Sequence, residues 1–154
     1  MFTPDLIVYD FDGVMTDNHV LFFQDGTEAV FVNRADGWGV AQLRKAGFRQ
    51  IILSTENNKV VSARAKKLNI EVLQGSSDKA QDLVSFCQKY EIDIKKVLYI
   101  GNDLNDLDVM HLVGFPMAPA DAHSQVLRIA RHVTLARGGE GVIKELSEWL
   151  LKEA

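Results

Sequence analysis

Short apolar runs, at residues 6–9, 50–54, 71–73, 96–100, 114–118 and 132–135, punctuate this chain at roughly regular intervals. Between them lie longer stretches, 36–46, 57–68, 78–90, 103–112, 122–130 and 140–152, whose apolar positions recur every three or four residues. The first pattern reads as strands buried on both faces and the second as amphipathic helices. Their alternation predicts an α/β fold, a doubly wound Rossmann-like parallel sheet with helices on both faces joined by right-handed crossovers. Gly47 supplies a stop for the helix that carries Trp38, Val40, Ala41 and Leu43.

One pair of segments breaks the alternation. Residues 19–23 and 28–32 flank Gln24-Asp25-Gly26-Thr27, which predicts a β-hairpin turning at Asp-Gly and inserted after the first strand. Its side chains include Val20, Leu21, Phe22, Phe23, Val30, Phe31 and Val32. A free two-stranded ribbon with that many apolar groups is unstable and adhesive, so the hairpin is expected to associate with other subunits.

The chemistry concentrates where apolar runs end. The first run closes in LIVYDFDGVMTD, placing Asp10 and Asp12 at the carboxyl end of a strand, where ligands bind in open α/β sheets. Two carboxylates so close repel unless a cation lies between them, and one of them is suited to attack phosphorus while the other handles the proton. The run at 50–53 ends in Ser54-Thr55, and the run at 97–100 ends in Gly101-Asn102-Asp103-Leu104-Asn105-Asp106. Lys79 sits between them in a Ser-Asp-Lys turn. Taken singly, Lys79 reads as a solvated lysine, Ser54 as a turn residue and Asp106 as a helix cap; together, in this order, they read as one catalytic edge.

Composition narrows the class. The chain has 154 residues, 47% hydrophobic and 25% charged, with a formal net charge of −4, which suits one ordinary domain spanning 1–154 and argues against nucleic acid or an anionic membrane as partner. No apolar stretch approaches a membrane span and the amino terminus lacks a signal-peptide pattern, so a cytoplasmic location is expected. The single cysteine, Cys87, lies in LVSFCQKY and reads as a buried structural residue.

These motifs, in this order, resemble the haloacid dehalogenase superfamily of phosphohydrolases. The resemblance implies that Asp10 is the nucleophile that forms an aspartyl-phosphate and that Asp12 protonates the leaving oxygen and then activates water. It implies Mg²⁺ held by the Asp10 carboxylate, the Asp12 carbonyl and Asp103, with Ser54 or Thr55 and Lys79 on the phosphoryl oxygens. Asn102 departs from the second aspartate that relatives often carry there.

The chain has no insertion long enough for the cap domain usual in that superfamily. The hairpin, Asn33-Arg34-Ala35-Asp36-Gly37 and the tail motif Arg137-Gly138-Gly139-Glu140-Gly141 resemble the capless branch that acts on 3-deoxy-ulosonate sugar-acid phosphates. Its members form homotetramers with hairpins packed centrally and neighbouring subunits covering each site. In the eight-carbon enzymes of that branch, the second motif typically reads Thr-Gly-Arg. Here it is Ser54-Thr55-Glu56, followed by Arg64 and Lys67. That pattern resembles the nine-carbon branch, in which such residues contact the sugar acid, Arg64 or Lys67 across a subunit interface; Arg137 would reach into or near a site. A second reading, a phosphatase-like tetramerisation module associated with CMP-sialate synthesis, remains open at this stage. A signalling receiver domain is disfavoured, because the strand at 71–73 ends in Gln74-Gly75 with no aspartate.

Overall fold

All six apolar runs form strands of one sheet, and every neighbouring pair is parallel. The computed structural model describes residues 2–152. Strand β1 (Leu6–Tyr9) is followed by a hairpin of β2 (Leu21–Phe22) and β3 (Glu28–Ala29), then α1 (Arg34–Lys45), β4 (Arg49–Leu53), α2 (Lys59–Leu68), β5 (Glu71–Leu73) and α3 (Lys79–Lys89). The second half continues with β6 (Val97–Ile100), α4 (Leu107–Leu112), β7 (Phe115–Ala118), α5 (Ser124–Ile129), β8 (His132–Val133) and α6 (Val142–Lys152). The strand order is β5-β4-β1-β6-β7-β8. The chain winds outward from β1 to one side and then returns to lay β6 on the other, so the topological switch point falls between β1 and β6.

Side-chain alternation along β1 explains the two layers. Ile7 and Tyr9 pack with Val40 and Leu43 of α1, Val61 and Ala65 of α2, and Leu146 and Leu150 of α6. Leu6 and Val8 face the opposite way, against Leu83, Phe86 and Cys87 of α3, Val109 and Met110 of α4, and Val126 of α5. Each such fully buried side chain contributes about 1.5–3 kcal/mol. Among the described residues, no helix is long and apolar enough to cross a membrane.

Most element ends shift from their sequence positions by a residue or two, because side-chain caps sit outside the helix proper. Asn58 accepts from the Val60 N–H and starts α2 at 59, and Asp78 accepts from the Gln81 N–H and starts α3 at 79. The stretch 103–112 is not one helix. A 3₁₀ turn, Leu104–Asp106, precedes α4, because the Asp103 and Asp106 side chains are both used to hold backbone N–H groups of the turn. The hairpin ladder is short, pairing Leu21 with Ala29 and Phe22 with Glu28. A bridge between Thr16 and Val32 fixes its base. Phe22 and Phe31 remain 68% and 79% exposed, so the ribbon does not fold back over its own sheet.

The tail loop braces the segment after β1. Gly139 donates its N–H to the Val14 carbonyl at 3.0 Å, and Asn33 Nδ2 donates to the Gly139 carbonyl at 3.2 Å. A Cβ on Gly138 would stand 2.2 Å from the Gly13 carbonyl oxygen, so only glycine allows this approach.

Candidate active site

Register aligns the catalytic edge. Tyr9 pairs with Ile52 on one side and Ile100 on the other, so the residues that follow these three emerge together at the carboxyl end of the sheet. Asp10 continues β1 by donating its N–H to the Ile100 carbonyl, and its Oδ1 accepts from the Phe11 N–H at 2.8 Å. Buried Phe11, Val14 and Met15 anchor the turn beyond it. Thr16, fully buried, accepts from the N–H groups of Gly13 and Asn18 through Oγ1, both at 3.2 Å. Gly13 takes φ +83°, a left-handed conformation open to glycine at little cost.

Lys79, at the start of α3, sends its Nζ under this turn. It lies 2.8 Å from Asp10 Oδ1 and 2.7 Å from Asp106 Oδ1, and all three side chains are buried. Asp106 in turn accepts from Tyr99 Oη at 2.6 Å and, through Oδ2, from the Asn102 and Asp103 N–H groups. Burial alone would pull the Lys79 pKa down, but Asp10 and Asp106 more than offset it and the net shift is upward, so the ammonium is retained. Burial pushes the Asp10 carboxyl up and the charge of Asp106 pushes the same way, while the Lys79 ammonium and the Phe11 N–H oppose both. Asp12 is also raised, by burial first and then by the charge of Glu56, with Lys79 opposing.

Asn102 reaches back over Asp10. The outer atom of its amide stands 3.1 Å from Asp10 Oδ2 and 2.8 Å from the Asp12 carbonyl oxygen. Presented as NH₂, it donates to both. Presented as oxygen, it stands against two further oxygens that repel it unless a cation draws them together. Those spacings match the edge of an octahedron with metal–oxygen bonds of about 2.0–2.1 Å, as Mg²⁺ requires. Asp103 is placed differently. Its side chain is exposed and turned back on its own turn, accepting from the Leu104 N–H at 2.7 Å, although the residue still borders the cleft. Among the described residues no three His, Cys, Asp or Glu side chains converge as a metal-binding group. The converging set is one carboxylate, one backbone carbonyl and one amide.

The cleft above Asp10 encloses about 260 Å³ and is bordered by Thr55 and Glu56 from the loop after β4 and by Val20, Glu28 and Val30 from the hairpin. Ser54 is buried behind this rim, its Oγ accepting from the Glu56 N–H at 3.1 Å. Arg64, Lys67 and Arg137 do not border the cleft of their own chain. Arg64 is half-buried on α2 and donates to the Asn33 carbonyl at 2.9 Å, Lys67 is exposed, and Arg137 is exposed with its Nε 3.7 Å from Asp121. Sequence reasoning missed the position of Asn102 over Asp10, the contribution of Glu28 and the use of Asp106 as the buried partner of Lys79. The i, i+3 spacing of Asp103 and Asp106 pointed to helix capping, and only the fold turns Asp106 inward.

A family model for haloacid dehalogenase-like hydrolases matches residues 41–146. The chain belongs to this family. Among haloacid dehalogenase-like hydrolases, it is 35% identical over 147 residues to the 3-deoxy-D-manno-octulosonate 8-phosphate phosphatase KdsC of Yersinia pestis, covering 95% of this chain and 79% of that one. A crystal structure described as a HAD family hydrolase of Streptomyces avermitilis superposes with a TM-score of 0.93 at 50% identity, over 95% of this chain and 84% of the other. The 3-deoxy-D-manno-octulosonate 8-phosphate phosphatase of Moraxella catarrhalis, solved with magnesium, phosphate and KDO, gives a TM-score of 0.93 at 31% identity, over 97% and 86% of the two chains. These relatives place the chain among the phosphatases of the family.

Proposed function

We propose that this chain, acting over residues 1–154 as one catalytic domain, is a Mg²⁺-dependent phosphatase that hydrolyses a 3-deoxy-ulosonate sugar-acid phosphate. The observation that carries the reading is the meeting of Asp10 Oδ1 with Lys79 Nζ at 2.8 Å, two residues before Asp12 at the switch point of the sheet. In this reading Asp10 attacks phosphorus, the ester P–O bond breaks, and Asp12 gives its proton to the departing oxygen. Asp12 then takes a proton from water as that water attacks the aspartyl-phosphate, releasing inorganic phosphate and restoring Asp10. Lys79, with a hydroxyl from Ser54 or Thr55, offsets the charge on the phosphoryl oxygens. The upward shift of Asp12, caused first by burial, supports the first half-reaction, since it moves the carboxyl in the direction a general acid needs.

Asp10, the Asp12 carbonyl and Asn102 would hold Mg²⁺, with Asp103 bordering the same space in place of a direct ligand. Bound there, the metal neutralises phosphoryl charge. The relative from Moraxella catarrhalis, solved with magnesium and KDO, supports both metal and substrate class. Glu56 on the rim supports the nine-carbon substrate over the eight-carbon one. The exposed Phe22 and Phe31 support a homotetramer in which hairpins pack together and bring Arg64, Lys67 or Arg137 of a neighbouring subunit toward the sugar acid.

The test is Mg²⁺-dependent phosphate release from the eight-carbon and nine-carbon 3-deoxy-ulosonate phosphates, with Asp10→Asn as the blank. Release by the native chain and none by the blank is expected. Turnover retained by Asp10→Asn would sink the mechanism. No release from either ester would favour the assembly module.

A further inference from the structure

The Asp12 carboxylate accepts no hydrogen bond among the described residues, so its direction is set by the backbone of the turn that carries it. Inside that turn the Phe11 carbonyl accepts from the Val14, Met15 and Thr16 N–H groups at 3.3, 2.9 and 3.3 Å. From outside, the loop 134–141 between β8 and α6 holds it. The Gly139 N–H donates to the Val14 carbonyl at 3.0 Å. Gly138 and Gly139 also lie flat on the same backbone. A Cβ on Gly138 would stand 3.0 Å from the Thr16 carbonyl oxygen as well as 2.2 Å from that of Gly13, and one on Gly139 would stand 2.6 Å from the Asp17 nitrogen. Side chains from three places in the chain fix this loop in turn. Glu145 of α6 accepts from the Leu135 and Ala136 N–H groups at 2.9 and 2.8 Å, one through each carboxylate oxygen. Asp121, beyond β7, accepts from the Gly138 N–H at 2.8 Å. Asn33 uses both ends of its amide: Oδ1 caps α1 by accepting from the Ala35 N–H at 2.8 Å, and Nδ2 donates to the Gly139 carbonyl at 3.2 Å.

We infer that the loop 134–141 is a clasp that aims the Asp12 carboxyl at the leaving oxygen, with Asn33 as its positioning residue. Asn33 touches neither phosphorus nor leaving group. It acts through Gly139 on Val14, two residues past Asp12. A loop tied by three side chains and seated on glycine against a second turn holds one arrangement, and a displacement of about 1 Å at a reacting group is enough to slow the chemistry. This rests on Asp12 being the acid for the leaving group, as proposed above, and names what fixes that acid in place.

Leaving-group basicity reads the aim of Asp12. Phenolate is a basic leaving group that needs a proton as it departs, whereas p-nitrophenolate leaves with little help. The experiment measures single-turnover release of the leaving group, with Mg²⁺, from phenyl phosphate and p-nitrophenyl phosphate. Asn33→Asp keeps the helix cap and the size of the side chain but sets an oxygen against the Gly139 carbonyl. It should slow release of phenol by about tenfold and of p-nitrophenol by less than about twofold. Asn33→Ser also caps and lacks the reach to Gly139, and it should show the same selectivity. Asp12→Asn should show it more strongly. Asp93→Ala removes a cap before β6, where Asp93 accepts from the Lys95 N–H, and should lower the melting temperature with no selectivity between the esters. Equal slowing of both esters by the two Asn33 variants, or none, with Asp12→Asn still selective, would overturn the clasp and leave the phosphatase reading intact. Equal slowing of both esters by Asp12→Asn would instead overturn Asp12 as the acid, and the clasp with it.

Discussion

Lys79 Nζ and Asp106 Oδ1 lie 2.7 Å apart in the interior, and the same nitrogen is 2.8 Å from Asp10 Oδ1. One cation therefore balances two buried carboxylates. The arrangement presents Asp10 in a fixed direction, and it makes the edge of the site part of the core.

Removing that cation strands both carboxylates. Lys79→Met should abolish turnover and lower unfolding stability by about 3–5 kcal/mol, the cost of breaking a buried pair from one side. Lys79→Met combined with Asp106→Asn should cost less than the sum of the single changes, because one stranded charge is gone. Urea denaturation of the four proteins in this cycle measures it, and strict additivity would contradict the coupling.

Asn102 supplies an oxygen without a charge at the converging set. Asn102→Asp should tighten Mg²⁺ binding by about tenfold, read by titration calorimetry, because a second carboxylate charge joins that of Asp10 on the cation. In EDTA the same variant should melt below the native protein, since its added charge faces Asp10 Oδ2 with nothing between them. A melting temperature unchanged in EDTA would show that residue 102 does not face that oxygen.

Gly13 combines a left-handed φ with lack of space. A Cβ there would stand 2.0 Å from Asn102 Nδ2. Gly13→Ala should cost about 1–2 kcal/mol in backbone strain and displace Asn102, lowering kcat by about 100-fold. Steady-state kinetics with a parallel melt separates the two effects.

Asp36 is 2% exposed, and its Oδ1 accepts from the Ile143 and Lys144 N–H groups at the start of α6. Burial raises its carboxyl to about 6 from 3.8, with the Lys144 and Ile143 N–H groups and Arg64 opposing. The folded state thus binds this proton more tightly than the unfolded one. Its stabilising contribution is complete below about pH 4 and is lost as pH rises through 6. Asp36→Asn keeps the acceptor and removes the titration. Relative to the native protein, it should gain on the order of 3 kcal/mol between pH 4 and pH 7. Parallel stability profiles for the two proteins across that range would count against the shift.

The hairpin carries the assembly expectation. Phe22→Lys with Phe31→Glu should convert the proposed tetramer to monomers with the sheet intact, followed by analytical ultracentrifugation and far-ultraviolet circular dichroism.

Elements whose pattern is local were legible in the sequence. Each strand of the main sheet is an apolar run and each helix an amphipathic stretch, with Gly47 as a stop after α1 and capping side chains such as Asn58 and Asp78 at the start of α2 and α3. Residues 103–112 misread as one helix because spacing cannot report that Asp106 turns inward to Lys79, 27 positions away in sequence. Asp10, Asp12, Lys79 and the loop at 54–56 were also legible, since each follows a strand or starts a helix. Arg64, Lys67 and Arg137 were named through the resemblance, as residues that reach a site across a subunit interface or near it, and within one chain none of them borders the cleft.

What the sequence determined by itself is the alternation of strands and helices, the insertion of the hairpin and the ends of β1, β4 and β6 as the chemical edge. Hydrophobic period and turn chemistry act over a few residues, and a few residues suffice to read them. Only the tertiary structure decided that Asn102 and not Asp103 faces Asp10 and the Asp12 carbonyl, that Asp106 pairs with Lys79, and that Glu28 accepts from Asn58. Those are meetings between segments far apart in the chain. They are set by strand order, register and the close approach that Gly13 permits, none of which leaves a mark on local sequence.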